Sequence, residues 1–311
     1  MSHAQQAQIP GSLCFVRAYA KINLTLDVLG KRTDGYHELA TVMQTIGLYD
    51  TLCLIRTEDQ RIEVICDTPE LSGGDNLAAC AAERIWQRKD ALQPVRLPEG
   101  LTIELSKRIP VAAGLGGGSS DAAAVLLALQ QWWKIPVSQA EMVALAASLG
   151  SDVPFFLTGG LALCEGRGDV VTPLPPTEMG FMRWLVLLKP PIGLSTATVF
   201  QHLSASDYTD GRYSHAFSTA VRAGASPHMG HLHNSLERTV LERYPEVARA
   251  KADMLHAGAQ LVQLSGSGPT LFAPFPDLKA ASDVQQCLQA QGYDVYLSHA
   301  VHPNSGNVCC Y

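Results

Sequence analysis

The segment Pro110-Val111-Ala112-Ala113-Gly114-Leu115-Gly116-Gly117-Gly118-Ser119-Ser120-Asp121 constrains this chain more than any other. Consecutive glycines let the backbone curl tightly and turn its N–H groups toward one point. Leu101–Leu105 before the segment reads as a strand, and Ser120–Trp132 after it reads as a helix. The start of a helix adds unpaired amides and the positive end of its dipole, so strand, loop and helix together make a prepared anion site. Ser119 and Ser120 add hydroxyl donors to that expectation. No Gly-Lys-Ser/Thr closes the segment, so it is not a Walker A loop. Neither does GxGxxG fit, because the frame from Gly114 ends on Ser119 and the frame from Gly116 ends on Asp121. The plainer alternative is a turn whose Ser119, Ser120 or Asp121 caps the helix, and capping is expected alongside anion binding.

Anion binding has to be local here, because a formal net charge of −6 offers no general surface for a phosphate backbone. A small molecule, not nucleic acid, is the expected partner. At 311 residues, 47% hydrophobic and 17% charged, the chain suits an ordinary globular protein of two lobes. The longest apolar run, Ala122–Leu129, falls well short of the ~18 residues that cross a bilayer. Met1–Pro10 is polar and has no leader-like core, so no membrane association is expected and the expected compartment is the cytoplasm. The 8 cysteines show no CxxC spacing; free thiols are expected, with Cys309 and Cys310 as tail residues.

Residues 15–56 read as strands. Within Lys21–Val28 the side chains alternate, with Ile22, Leu24, Leu26 and Val28 on one face and Lys21, Asn23, Thr25 and Asp27 on the other. Asp34-Gly35 marks a turn. A helix is expected over Asn76–Lys89, and Ser138-Gln139-Ala140-Glu141 is a capping box for another that Gly150 closes. The Pro-rich stretch 173–176 reads as a connector, and a boundary near residue 165 divides the chain into lobes 1–165 and 166–311. The second half offers a strand at Trp184–Leu188, a polar segment at Ser204–His233 and a helix at Pro245–His256. A hairpin of Gln260–Leu264 and Thr270–Ala273 then flanks Ser265–Pro269. Strands and helices mix without strict βαβ alternation, which predicts an α+β fold.

Three segments, in this order, resemble the GHMP small-molecule kinases. Ala18-Tyr19-Ala20-Lys21-Ile22-Asn23-Leu24 is similar to the first motif of that family. The glycine loop is similar to the second, and Leu264-Ser265-Gly266-Ser267-Gly268-Pro269-Thr270 to the third. The resemblance implies a lobe like ribosomal protein S5, a ferredoxin-like C-terminal lobe and an active site in the cleft between them. It also implies an enzyme, a monomer or weak homodimer, that moves the terminal phosphate of ATP, delivered with Mg²⁺, onto a hydroxyl of a small metabolite. Such transfer needs alignment and charge stabilisation more than covalent help. Asp152 is the candidate for accepting or orienting the hydroxyl proton, although from its position alone it reads equally as an N-cap. Lys21, alone a solvated strand lysine, is implied to stand beside Asp152 and offset charge on the moving phosphoryl group. Asn23, on the same face, would bond the substrate or the phosphate.

Gly30-Lys31-Arg32-Thr33-Asp34-Gly35-Tyr36-His37-Glu38-Leu39 and Gly150-Ser151-Asp152-Val153-Pro154-Phe155-Phe156 resemble one branch of the family, whose alcohol substrate carries a cytidine diphosphate. The implied roles are stacking of Tyr36 on the pyrimidine, a hydrogen bond from His37 to its edge, and closure by Phe200 from the second lobe. The bland alternatives are core packing for Tyr36 and a surface position for His37. The turn at 265–269 is expected to act through its backbone, and Asn234-Ser235 departs from the usual Asn-Asp pair. His228, His231 and His233 lack the carboxylates or cysteines of a metal site and read as loop residues, with Mg²⁺ held chiefly by water and ATP oxygens. Two other readings remain: a homoserine- or mevalonate-type kinase of the same family, and a non-catalytic nucleotide-binding regulator. The 34–37 segment argues against the first, and the presence of both Lys21 and Asp152 against the second.

Overall fold

The computed structural model describes residues 13–87, 100–302 and 308–310. Met1–Pro10, the end of the helix expected to reach Lys89, and the side chains of Cys309 and Cys310 lie outside the described residues. Strands β1 (Leu13–Lys31) and β2 (His37–Thr57) form a long antiparallel hairpin around the Asp34-Gly35 turn, where Gly35 takes φ +88°. The second half of β2 pairs with β4 (Gly100–Ser106), which in turn pairs with β3 (Ile62–Cys66). Its first half pairs with β5 (Leu161–Gly166), which carries β6 (Val170–Pro173) at the edge. Helices α1 (Leu77–Trp86), α2 (Gly117–Trp132), α3 (Gln139–Leu149) and α4 (Val153–Thr158) pack with this sheet, burying Ile85, Val125 and Leu129 with Leu52, Leu54 and Ile103. Burial of each such side chain contributes roughly 1.5–3 kcal/mol.

A second sheet, in the order β11-β7-β10-β9, is antiparallel throughout. Its strands are β7 (Trp184–Lys189), β9 (Gln263–Leu264), β10 (Leu271–Phe275) and β11 (Asp294–Ser298). The helices of this half are α5 (Thr196–Gln201), α6 (Arg212–Arg222), α7 (Glu237–Arg243), α8 (Pro245–His256) and α9 (Leu278–Ala290). Two short strands return to β1: β8 (His233–Asn234) in parallel and β12 (Val308–Cys310) antiparallel. The middle of the long hairpin (Ile22, Leu24, Val42, Ile46) shares one apolar cluster with Leu185, Leu187 and Phe272 of the second sheet and Phe217 of α6. This is the expected α+β fold.

Several local expectations change. The polar face of β1 is not solvated: Lys21, Asn23, Thr25 and Asp27 are all buried. The segment read as polar from Ser204 to His233 contains α6, whose buried residues Ser214, Phe217, Ser218 and Val221 follow helical spacing. Of its two inward serines, Ser214 meets a buried carboxylate, while the Ser218 hydroxyl donates to the His215 carbonyl at 3.1 Å. The Ser214 amide and hydroxyl donate to Asp27 at 2.8 and 2.6 Å, and the Thr209 hydroxyl donates at 2.6 Å. Helix α2 begins at Gly117 rather than Ser120. The hairpin strands are shorter or shifted, at 263–264 and 271–275. The expectation of free thiols fails at Cys14, which is disulfide-bonded, whereas Cys53, Cys66, Cys80, Cys164 and Cys287 are free.

Candidate active site

The glycine loop takes its shape from contacts that only glycine allows. Gly114 has φ +76°, and a Cβ there would lie 2.3 Å from the Ser265 carbonyl oxygen. Gly116 has φ +72°, and a Cβ there would lie 2.8 Å from the Phe156 ring and 3.2 Å from the Lys21 side chain. Gly116 is also the N-cap of α2, and no side chain caps this helix, contrary to the expectation for Ser119, Ser120 or Asp121. The amides of Gly117, Gly118 and Ser119 therefore have no acceptor within the helix. Ser120 is corrected further: it is buried, and its hydroxyl donates to the Tyr19 carbonyl at 2.6 Å, which anchors the loop and leaves nothing for an anion. Ser119 remains at the cavity wall.

The first motif lies under this loop. The Lys21 amide donates to the Leu115 carbonyl at 3.0 Å, and the β1–β2 pairing shifts register between Tyr19 and Lys21, a bulge of the kind that re-aims side chains. The Lys21 ammonium donates to Asn23 Oδ1 at 2.6 Å and stands 3.4 Å from Asp152 Oδ2. Asn23 in turn donates to Thr41 Oγ1 at 2.8 Å, which fixes its amide and thereby the lysine. Asp152 precedes α4 but makes no capping bond, and its carboxylate is 32% exposed, in contrast to 4% for Lys21. The pair thus presents one free carboxylate edge to the cavity. That edge is what the N-cap alternative would have consumed.

The third motif closes the loop from the other side. Ser265 Oγ donates to the Gly114 carbonyl at 3.1 Å, and the Thr270 amide reaches the Ala113 carbonyl at 3.3 Å. A Cβ on Gly266 would lie 3.2 Å from Asn23 Oδ1 and 3.3 Å from Lys21 Nζ. The Asn234 amide holds this turn by donating to the Leu264 and Gly266 carbonyls at 2.8 and 2.9 Å. At the position that departs from the family pattern, Ser235 Oγ accepts the Val28 amide at 3.2 Å, a structural contact.

All three motifs border one cavity of about 1010 Å³. Pro110, Val111, Ala112, Ala113, Tyr36, His37 and Phe200 line it as well. Tyr36 is 54% exposed, which removes the core-packing alternative. His37 lies 5.0 Å, ring to ring, from Phe200. Burial, and then the charge of Lys31, hold its imidazole below the usual range, so at neutral pH it is an uncharged hydrogen-bonding group. Of the three loop histidines, His233 stacks on Tyr213 at 3.9 Å, while His228 and His231 accept backbone amides of their own turn. Among the described residues no cluster of three or more His, Cys, Asp or Glu is placed to hold a metal.

Sequence reasoning missed a charged group behind the loop. The Lys107 ammonium bonds both Asp50 and Asp121, at 2.5 and 2.7 Å, and all three are nearly inaccessible. Asp50 also accepts the Arg108 and Ile109 amides, which fixes the chain entering the loop. Burial opposes the charge on Lys107, but the carboxylates of Asp121 and Asp50 outweigh it and hold the ammonium above its usual range. Burial pushes the Asp121 carboxyl up to about 7. Lys107 and Asp50 carry no motif signal of their own, and Asp121 is marked only as the end of the loop segment; the Lys107-Arg108-Ile109 stretch just ahead of the loop was the available hint.

Residues 70–160 match the GHMP kinases N terminal domain, and residues 222–294 match the GHMP kinases C terminal domain. A 4-diphosphocytidyl-2-C-methyl-D-erythritol kinase of Lachnoclostridium phytofermentans is 40% identical over 86% of this chain and 89% of its own length. One of the same name from Pelotomaculum thermopropionicum is 42% identical over 92% of this chain and 97% of its own. The crystal structure of a 4-(cytidine 5'-diphospho)-2C-methyl-D-erythritol kinase superposes with a TM-score of 0.73, at 34% identity, over 92% of this chain and 99% of that one.

Proposed function

This chain belongs to the GHMP kinase family, and we propose that within it the protein transfers the terminal phosphate of ATP to the 2-hydroxyl of 4-diphosphocytidyl-2-C-methyl-D-erythritol, a step of non-mevalonate isoprenoid synthesis. The observation that carries this reading is the Lys21–Asp152 pair, 3.4 Å apart at the edge of the glycine loop, in the cavity that also holds Tyr36, His37 and Phe200. One end of the cavity suits a polyphosphate and the other a pyrimidine. Relatives at about 40% identity that bear the substrate's name support the same choice.

In this mechanism the loop amides of Gly117, Gly118 and Ser119 hold the β- and γ-phosphates at the start of α2. Asp152 orients the 2-hydroxyl for in-line attack and accepts its proton as the new O–P bond forms and the bond to the ADP oxygen breaks. Because the transition state is loose, the proton leaves late and a weak base suffices. Lys21, held by Asn23, offsets charge on the moving phosphoryl group. Mg²⁺ delivered with ATP would supply neutralisation of phosphate charge, and water and ATP oxygens would be its main ligands, since among the described residues no cluster of three or more His, Cys, Asp or Glu is placed to hold it. Tyr36 and Phe200 enclose the cytosine, and His37 bonds its edge. The division of labour sets an ATP-binding and catalytic lobe over residues 1–165 against a C-terminal lobe over residues 166–311. The chain acts in the cytoplasm as a monomer or weak homodimer.

The test is ADP release over a panel of alcohols. Turnover with the cytidylyl alcohol and not with homoserine or mevalonate supports the assignment. Turnover with either of those alone refutes it, and ATP binding without turnover on any alcohol indicates a regulator.

A further inference from the structure

Tyr36 stands half exposed on a turn, and no apolar core holds its ring. Its main chain is fixed from within the turn: the Tyr36 amide donates to Asp34 Oδ1 at 3.1 Å, and its carbonyl accepts the Arg32 amide at 2.8 Å. The ring itself is met from another element. The guanidinium of Arg167, in the turn between β5 and β6, lies over the ring with its carbon 5.1 Å from the ring centre. That turn is built to hold the guanidinium still. Asp169 Oδ2 accepts Arg167 Nη2 at 2.8 Å and Nε at 3.2 Å, and Asp169 Oδ1 accepts the Arg167 amide at 3.1 Å. Gly166, at φ +70°, permits this, since a Cβ there would come within 3.1 Å of Asp169 Oδ1. Arg167 and Gly168 both border the cavity.

We propose that Arg167 is a positioning residue for the pyrimidine of the substrate, an inference that rests on the cytidylyl alcohol assigned above. With the cation on one face of Tyr36, the base has only the opposite face to stack on, and the ring is oriented before the substrate arrives. A fixed ring loses less freedom on binding than a swinging one, so the effect falls on substrate affinity and not on the chemical step. The contact also gives the enzyme a reason to prefer an alcohol that carries a base.

Arg167→Leu, Arg167→Lys and Asp169→Asn, assayed with the cytidylyl alcohol and ATP, test this. Arg167→Leu is expected to raise KM for the alcohol about twofold to fivefold, the size of effect expected of an exposed cation–π contact, with kcat and KM for ATP unchanged. Arg167→Lys keeps a cation and should recover part of the loss, and Asp169→Asn, which frees the guanidinium, should fall between wild type and Arg167→Leu. An Arg167→Leu enzyme with wild-type KM for the alcohol overturns the inference alone. Equal losses in KM for the alcohol, KM for ATP and kcat also overturn it, by marking a structural role. A wild-type enzyme that does not use the cytidylyl alcohol overturns both the inference and the assignment beneath it.

Discussion

The Ser265 hydroxyl donates to the Gly114 carbonyl at 3.1 Å, and this bond ties the third motif to the phosphate loop across 151 residues of sequence. Around it the two backbones are in contact, because a Cβ on Gly114 would fall 2.3 Å from the Ser265 carbonyl oxygen and 3.0 Å from the Gly268 nitrogen. Neither atom belongs to a side chain that could swing aside. Gly114→Ala should therefore destabilise the protein by at least ~2 kcal/mol, combining positive-φ strain with overlap. Gly118→Ala is the control: its Cβ would meet only Leu77 Cδ1, at 3.5 Å, in the first turn of α2. Alanine there should hold stability to within ~1 kcal/mol of wild type. Urea denaturation midpoints check both, and equal midpoints for the two variants would contradict the packing described.

Asp50 and Asp121 share one ammonium, that of Lys107, and Asp121 Oδ1 has no partner. Burial lifts the Asp121 carboxyl to about 7, against ~3.9 in an unfolded chain. The folded state therefore binds this proton more tightly than the unfolded state. The stabilisation is complete below the unfolded value and is lost as pH rises from about 4 through 7. Asp121→Asn keeps an acceptor for Lys107 and carries no titratable proton. Calorimetry should show the wild-type Tm falling relative to Asp121→Asn between pH 5 and pH 8. Parallel Tm profiles would contradict the shifted proton.

Tyr36→Ala removes the stacking face and should raise KM for the cytidylyl alcohol roughly 5- to 150-fold, the range that loss of one base–aromatic stack spans. KM for ATP should stay unchanged, because Tyr36 belongs to a different part of the cavity wall from the glycine loop. Steady-state kinetics with each substrate varied in turn reads both. An equal rise in the two constants would indicate a folding defect instead.

The resemblance of their segments to family motifs singles out Lys21 and Asp152 as a candidate pair, and the structure brings them to 3.4 Å. Local residues alone mark the α3 capping box and α8, whose limits Pro245–His256 were readable from its N1 proline and last-turn histidine. What escaped depends on partners distant in sequence. Helix α6 reads in sequence as part of a polar segment because its inward Ser214 meets Asp27, 187 residues earlier. Ser120 looked like an anion donor, yet its hydroxyl serves the Tyr19 carbonyl 101 residues back. The Lys107 group could not be seen because burial of three charges together leaves no periodic signal. The disulfide at Cys14 ran against a default drawn from the lack of a secretory leader and of CxxC spacing.

In the proposed mechanism Asp152 receives the hydroxyl proton in the transition state. The most direct test is Asp152→Asn, which keeps the shape, with kcat on the cytidylyl alcohol and Kd for ATP measured on the same preparation. A fall in kcat of ~10²-fold or more is expected, with Kd for ATP within about twofold of wild type. Wild-type turnover in Asp152→Asn would contradict that role.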